Sequence, residues 1–182
     1  RRSLGPGYER LREAIAGDLA VYSSHIPLDL HPVLGNNVLL ARALRLNANG
    51  TFGRYKGVEI GVVGDSDLAT LSLFDRVREF SAQYAATAVS TPFADTRKTR
   101  RWAIITGAGA SADSLAEARE RGVDTLIVGE GSHHTAVQAI EDGTVVFYAG
   151  HYATETLGVR ALAERVSGRF EIPWTFVNVP TG

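Results

Sequence analysis

The sequence predicts an α/β protein built from two pseudo-repeated halves with mostly parallel strands. Three observations carry that expectation. Short apolar runs rich in β-branched and aromatic residues, at 58–63, 102–106, 123–128 and 145–149, have the length and composition of buried strands. Amphipathic stretches with apolar residues at helical spacing lie between them, and strands alternating with such helices imply right-handed crossovers. Finally, Asp18 to His25 resembles Gly143 to His151: each is an apolar run reaching Tyr, two small residues and His, preceded by Ala-Ile in a helix.

Taken in order, 1–7 with Gly5-Pro6-Gly7 reads as a loop, and 8–16 as a short helix stopped by Gly17. A strand at 19–24 delivers His25, and Pro27 and Pro32 hold the next segment extended. Asn36 or Asn37 caps a helix through Leu44, and 47–50 is turn chemistry. A strand at 58–63, a turn and cap at 64–67, a helix from Leu68 to Gln83 and a short strand at 88–90 complete the first half, 1–90. The second half, 91–182, begins at Thr91-Pro92 and runs strand 102–106, tight turn 107–111, helix 112–121, strand 123–128, helix 135–142 and strand 145–149. A helix ending at Gly168 and a closing strand at 174–179 follow.

At 182 residues the chain is long enough to bury a substantial core. A net charge of −1 gives no electrostatic case for nucleic acid or anionic lipid. The one basic cluster, Arg97-Lys98-Thr99-Arg100-Arg101, reads as a solvated loop, with local phosphate binding as the minor alternative. Cysteine is absent, which removes disulfides and thiolate metal sites together. No long apolar span or signal peptide is present, so the expected location is cytoplasmic, with no membrane partner. With no Met and a start at Arg1-Arg2-Ser3, the natural beginning is expected to be missing.

His151 and Glu155 stand four residues apart at the start of a helix that follows a strand, so they share one face. That pair is either a surface ion pair or part of a site that holds a metal. His25 and Asp29 repeat the spacing, with His31 close by, which favours a shared site. Glu130 and His133-His134 follow another strand, at the edge where α/β sheets bind ligands; their alternative is capping or solvent exposure. Gly107-x-Gly109 with Glu130 further on resembles a weak dinucleotide-binding fingerprint, but reads chiefly as a plain strand–helix turn, with the cofactor reading as the minor alternative.

His25-x-Pro-Leu-Asp29-x-His-Pro-x-x-Gly-Asn-Asn37, Glu130-x-Ser-His-His134 and Gly150-His-x-Ala-Thr-Glu155 together resemble the signature stretches of the NIF-three-like family. Its members are dinuclear metal proteins, many named GTP cyclohydrolase I type 2 homologues. The resemblance implies a metal site between two α/β halves and a hexameric ring. By it, Asp29, His151 and Glu155 are metal ligands. The family's remaining ligands come from a His-His-Gly stretch that this sequence lacks, so the chain alone is expected to bind metal weakly, singly or not at all. A complete chain would hold two divalent ions, and the oxygen and nitrogen donors suit Zn, Mn, Fe or Co.

The function expected on this basis is metal-dependent hydrolysis of a nucleotide-like or heterocyclic small molecule. His25, Glu130, His133 and His134 are the candidate proton-transfer or substrate-orienting groups. The competing expectation is a non-catalytic metal-binding ring that acts as a scaffold, regulator or metal handler.

Overall fold

A computed structural model of the chain describes residues 5–181, which hold seven helices and six strands. In chain order these are α1 (Pro6–Ala16), α2 (Ile26–Asp29), α3 (Asn36–Ala43), β1 (Gly50–Tyr55), β2 (Val58–Ala69), α4 (Thr70–Ala82), β3 (Val89–Ser90), β4 (Lys98–Ile105), α5 (Ala112–Glu120), β5 (Thr125–Val128), α6 (His133–Glu141), β6 (Val145–Tyr148) and α7 (His151–Phe170). All six strands join one sheet in the order β1-β2-β4-β5-β6-β3. Strands from both 1–90 and 91–182 therefore contribute to a single layer, with β4 seated between β2 and β5.

The sheet is mixed rather than mostly parallel. Only β4–β5 and β5–β6 run parallel, whereas β1–β2, β2–β4 and β3–β6 are antiparallel. The parallel part is where crossover helices α5 and α6 connect consecutive strands. The antiparallel part starts from a hairpin that the sequence reading missed. Lys56 and Gly57, both at positive φ, join β1 to β2, and two such residues in a row turn the chain with the twist its strands need.

Residues 64–67 are not a turn but the continuation of β2, which passes a bulge between Asp65 and Leu68 on its way to Ala69. The bulge moves the start of α4 to Thr70. Nor is the basic cluster a loop. Lys98 to Arg101 lie in β4, and Lys98, Arg101 and Arg97 pair with Asp67, Asp65 and Asp124. Each of these cations meets a carboxylate across neighbouring strands, which removes the motive for a phosphate site.

Alternation along the strands fills both faces. Trp102, Ile104, Ile127 and Phe147 point to the side covered by α3, α4 and α7, against Leu40, Leu73 and Val77. Ala103, Ile105, Leu126, Val128 and Val146 point to the side covered by α5 and α6, against Leu115 and Ala139. At the far edge β3 is only two residues long, yet Thr91 extends its pairing. The Thr91 amide donates to the Val146 carbonyl and its hydroxyl oxygen accepts from the Val146 amide.

Two expected strands do not form. Residues 19–24 are irregular and exposed, with Tyr22 at 84%. Strand-like sequence makes a strand only when a neighbour accepts its hydrogen bonds, and among the described residues this segment has none. The proposed equivalence with the run ending at His151 therefore fails at the level of the strand, because that later run, β6, pairs with both β5 and β3. Residues 174–179 are likewise irregular.

The amino-terminal stretch is a helix from Pro6 rather than a loop, with Pro at a position where its missing N–H costs nothing; residues 1–4 lie outside the described residues. Pro27 likewise sits in the first turn of α2, so this segment is a helical turn instead of an extended one.

Candidate metal centre

The three parallel strands set the site. Their carboxyl ends release Gly107 after β4, Glu130 after β5 and His151 after β6 onto one edge, the edge at which α/β sheets present ligand-binding groups. The ladder continues a step beyond the strands: the Glu130 amide donates to the Gly107 carbonyl at 2.8 Å and the Gly150 amide to the Gly129 carbonyl at 2.9 Å. His151 then opens α7, and Glu155 lies one turn on, its Oε2 3.3 Å from His151 Nε2.

The second contribution arrives from α2. His25 places Nε2 at 3.5 Å from Glu155 Oε1 and 3.8 Å from Asp29 Oδ2. The two oxygens of Glu155 thus face two different imidazoles. Asp29, only 9% exposed, is held by the Asn36 side-chain amide, which donates to its other oxygen at 2.8 Å. Asp29 and Glu155 are thus linked through His25, which stands between the two carboxylates, and Glu155 in turn meets His151.

Glu130 takes a more specific place than a free proton carrier. Its Oε1 sits 2.9 Å from His151 Nδ1, leaving Nε2 turned to Glu155. A carboxylate on the far nitrogen is the usual device for orienting a metal-binding imidazole. His133 and His134 are exposed at the start of α6; His134 is bonded to Ser132, and neither is linked by hydrogen bond or ion pair to the cleft. His31 faces its own loop, with Nδ1 accepting from the Val33 and Leu34 amides.

Burial is the largest influence on Asp29 and raises its pKa above the ordinary carboxylate range; Asn36 and His25 oppose this, and Glu155 adds to it. For His151, burial alone would lower the pKa. The hydrogen bond to Glu130 and the charges of Glu155 and Glu130 together outweigh it, so the net shift is upward. Both groups therefore hold protons more readily than usual.

Gly107 was missed as a site residue because its glycine pair reads as plain strand–helix turn geometry, with a nucleotide turn as the minor alternative. Its φ is +66°, and a Cβ there would overlap Glu155 Oε1 and crowd His151 Nε2. The glycine is present so that the β4 turn can pass directly behind the His–Glu pair. Its amide donates to Thr154 Oγ1, which fixes the turn against α7. Two open cavities flank Glu155. One of about 440 Å³ is lined by Tyr22, His25, Leu28 and Leu162, and one of about 360 Å³ by His151, Tyr152, Thr156 and Phe176.

Imidazole and carboxylate donors suit a divalent ion. Ligands of one tetrahedral ion with bonds of about 2.1 Å lie about 3.4 Å apart; of the expected ligands only His151 and Glu155, at 3.3 Å, stand in such a contact, while the 3.5 and 3.8 Å contacts of Glu155 and Asp29 both run to His25. They form linked pairs, however, rather than a closed cage: among the described residues no group of three His, Asp or Glu side chains is gathered to hold an ion as it stands.

The fold is a mixed α/β sheet with His and carboxylate side chains placed where its parallel strands end. The chain belongs to the Duf34/NIF3 (NGG1p interacting factor 3) family, whose family model matches residues 2–181. It is 42% identical over 180 residues to a Deinococcus radiodurans protein named GTP cyclohydrolase 1 type 2 homolog, covering 98% of this chain and 66% of that one. A Pyrococcus horikoshii protein of the same name is 37% identical over 177 residues, with 96% and 68% covered. The chain thus spans about two thirds of the length of these relatives.

Among solved structures, protein ybgI, described as of unknown function, superposes with a TM-score of 0.84 at 30% identity, covering 98% of this chain and 69% of that one. Reduced HcgD from Methanocaldococcus jannaschii gives 0.80 at 25%, with 94% and 66% covered. No described helix is long and apolar enough to cross a membrane.

Proposed function

We propose that the protein is a metal-dependent, hydrolase-type protein acting on a nucleotide-like or heterocyclic small molecule, with divalent metal held by Asp29, Glu155 and His151. The observation that supports this reading is the position of Glu155, whose Oε2 lies 3.3 Å from His151 Nε2 while its Oε1 stays turned to His25, the imidazole beside Asp29. Bound there, a divalent ion would supply Lewis-acid polarisation of the bond attacked and a lowered pKa for water.

The chain's own groups supply the rest. Glu130 keeps His151 Nε2 aimed at the cleft. Burial favours the protonated form of Asp29, and the Glu130 and Glu155 contacts favour that of His151; an entering ion would oppose both. His25 lies within reach of both carboxylates and is the group best placed to accept or return a proton during turnover. The cavities beside Glu155 offer apolar and aromatic walls for a planar substrate. The GTP cyclohydrolase 1 type 2 label of the relatives agrees with a nucleotide-like substrate.

Metal analysis after dialysis against Zn, Mn, Fe and Co salts tests the first half of this reading. A turnover screen of the loaded protein against nucleotides and pterin precursors tests the second. Metal binding without turnover of any of these would favour a scaffold or metal-handling role, and no metal uptake by a chain carrying the His-His-Gly segment would remove the reading.

A further inference from the structure

Asn36 and Asn37 open α3, but neither caps it. Both are buried, at 5% and 2% exposed, and both side chains reach across the molecule. Asn37 does structural work between backbones: its Nδ2 donates to the Ile60 carbonyl at 2.7 Å, and its Oδ1 accepts from the Thr106 amide at 2.9 Å. Asn36 differs in one respect. Its Oδ1 accepts from the Gly158 amide of α7 at 2.6 Å, while its Nδ2 donates to a side chain, Asp29 Oδ1. Helix α7 can approach this closely because residue 158 is glycine, since a Cβ there would stand 2.9 Å from Asn36 Oδ1.

We propose that Asn36 is a positioning residue of the cleft: it locks Asp29 to the helix that carries His151 and Glu155 and selects which Asp29 oxygen faces His25. The inference rests on the reading that Asp29 and Glu155 serve one site. Only a side chain with a donor and an acceptor at one end can join a carboxylate to a backbone N–H. With Oδ1 engaged by Asn36, Oδ2 is the oxygen turned to His25. Without the amide, the Asp29 carboxylate would be free to rotate and would lose its register with α7.

The test is a comparison of the five histidine rings by long-range ¹H–¹⁵N spectra of the metal-free protein, in wild type, Asn36→Leu, Asn36→Ser and Asn37→Ser. Both Asn36 variants should shift the His25 ring signals and leave those of His31 and His134 in place. Asn37→Ser, which breaks a structural joint of similar burial, should lower the melting temperature without moving His25. Should Asn36→Leu fail to fold, the smaller Asn36→Ser decides. Unchanged His25 signals in the Asn36 variants, or the same change in Asn37→Ser, would overturn the proposal. A parallel Co²⁺ titration followed by visible absorption should show affinity at least about tenfold weaker in the Asn36 variants than in Asn37→Ser, in line with the loss of a group that orients a ligand. If wild type binds no Co²⁺, the test of the metal reading passes to a chain carrying the His-His-Gly segment, while the His25 spectra still decide the role of Asn36.

Discussion

Asp29 shows how a site residue can work against the fold that carries it. Burial is the main cause of its raised pKa, so its charged form is the strained one in the absence of a cation. Asp29→Asn keeps an acceptor for Asn36 and removes the buried charge. We therefore expect its metal-free melting temperature at neutral pH to equal or exceed wild type, while its Co²⁺ affinity falls sharply; thermal scans in EDTA and a Co²⁺ titration check both halves. Glu130 contributes at one remove, and Glu130→Gln should weaken Co²⁺ binding by about 10–100-fold, as loss of such a supporting carboxylate does.

For His151 the folded pKa lies above the unfolded value of about 6.5. Its protonated form therefore stabilises the metal-free fold fully below that value, and the contribution is lost as pH climbs through the raised folded pKa. The melting temperature of wild type in EDTA should accordingly decline more between about pH 6.5 and 9 than that of His151→Gln. Equal slopes would show that the Glu130 and Glu155 contacts do not favour the imidazolium.

At the scale of the element, the turn after β4 is the sensitive joint. Gly107→Ala places a side chain in the left-handed region, at about 1–2 kcal/mol, and drives it into Glu155. It should lower the melting temperature and abolish Co²⁺ binding together, read by the same two measurements. The central strands should respond through packing alone. Ile127→Ala, at a fully buried position, is expected to cost about 2–5 kcal/mol in urea unfolding without a change in metal affinity per folded molecule.

The elements α5, β5 and β6 of the second half were legible because periodicity and glycine stops agreed, each falling where apolar runs and Gly122 place it, unlike the expected strand at 174–179. The β1–β2 hairpin was not, because Thr51 to Arg54 lack an apolar alternation and Lys56-Gly57 is a quiet turn signal. The repeated His–x–x–x–carboxylate spacing pointed to the contacts that His25 makes with Asp29 and that His151 makes with Glu155. Neither Gly107 nor Asn36 could be read that way, since each acts through a contact made only when α7 packs onto distant chain.

For the whole molecule, exposed apolar side chains occur throughout the described residues, with two runs of them close in sequence. Leu11, Ile15, Leu19, Val21 and Tyr22 on and after α1 stand in water, as do Phe170, Ile172, Val177 and Val179 at and after the end of α7. Surfaces of this kind mark contacts with other chains. We expect self-association, with the hexamer implied by family resemblance as its end point. Light scattering coupled to size exclusion measures this, and a clean monomer at micromolar concentration would refute it.

The short β3 strand has a consequence for solubility. β6 is an apolar strand whose outer side, without β3, would be a template for pairing with another chain. Two residues and one threonine hydroxyl close it: Val89 and Ser90 pair with Tyr148 and Phe147, and Thr91 occupies Val146 with both its amide and its side chain. Thr91 thus substitutes for a rung of ladder that a longer edge strand would have supplied. Its removal leaves the native contacts of the cleft untouched and opens the Val146 amide. The defect should be read in turbidity on prolonged incubation before it is read in the melting curve.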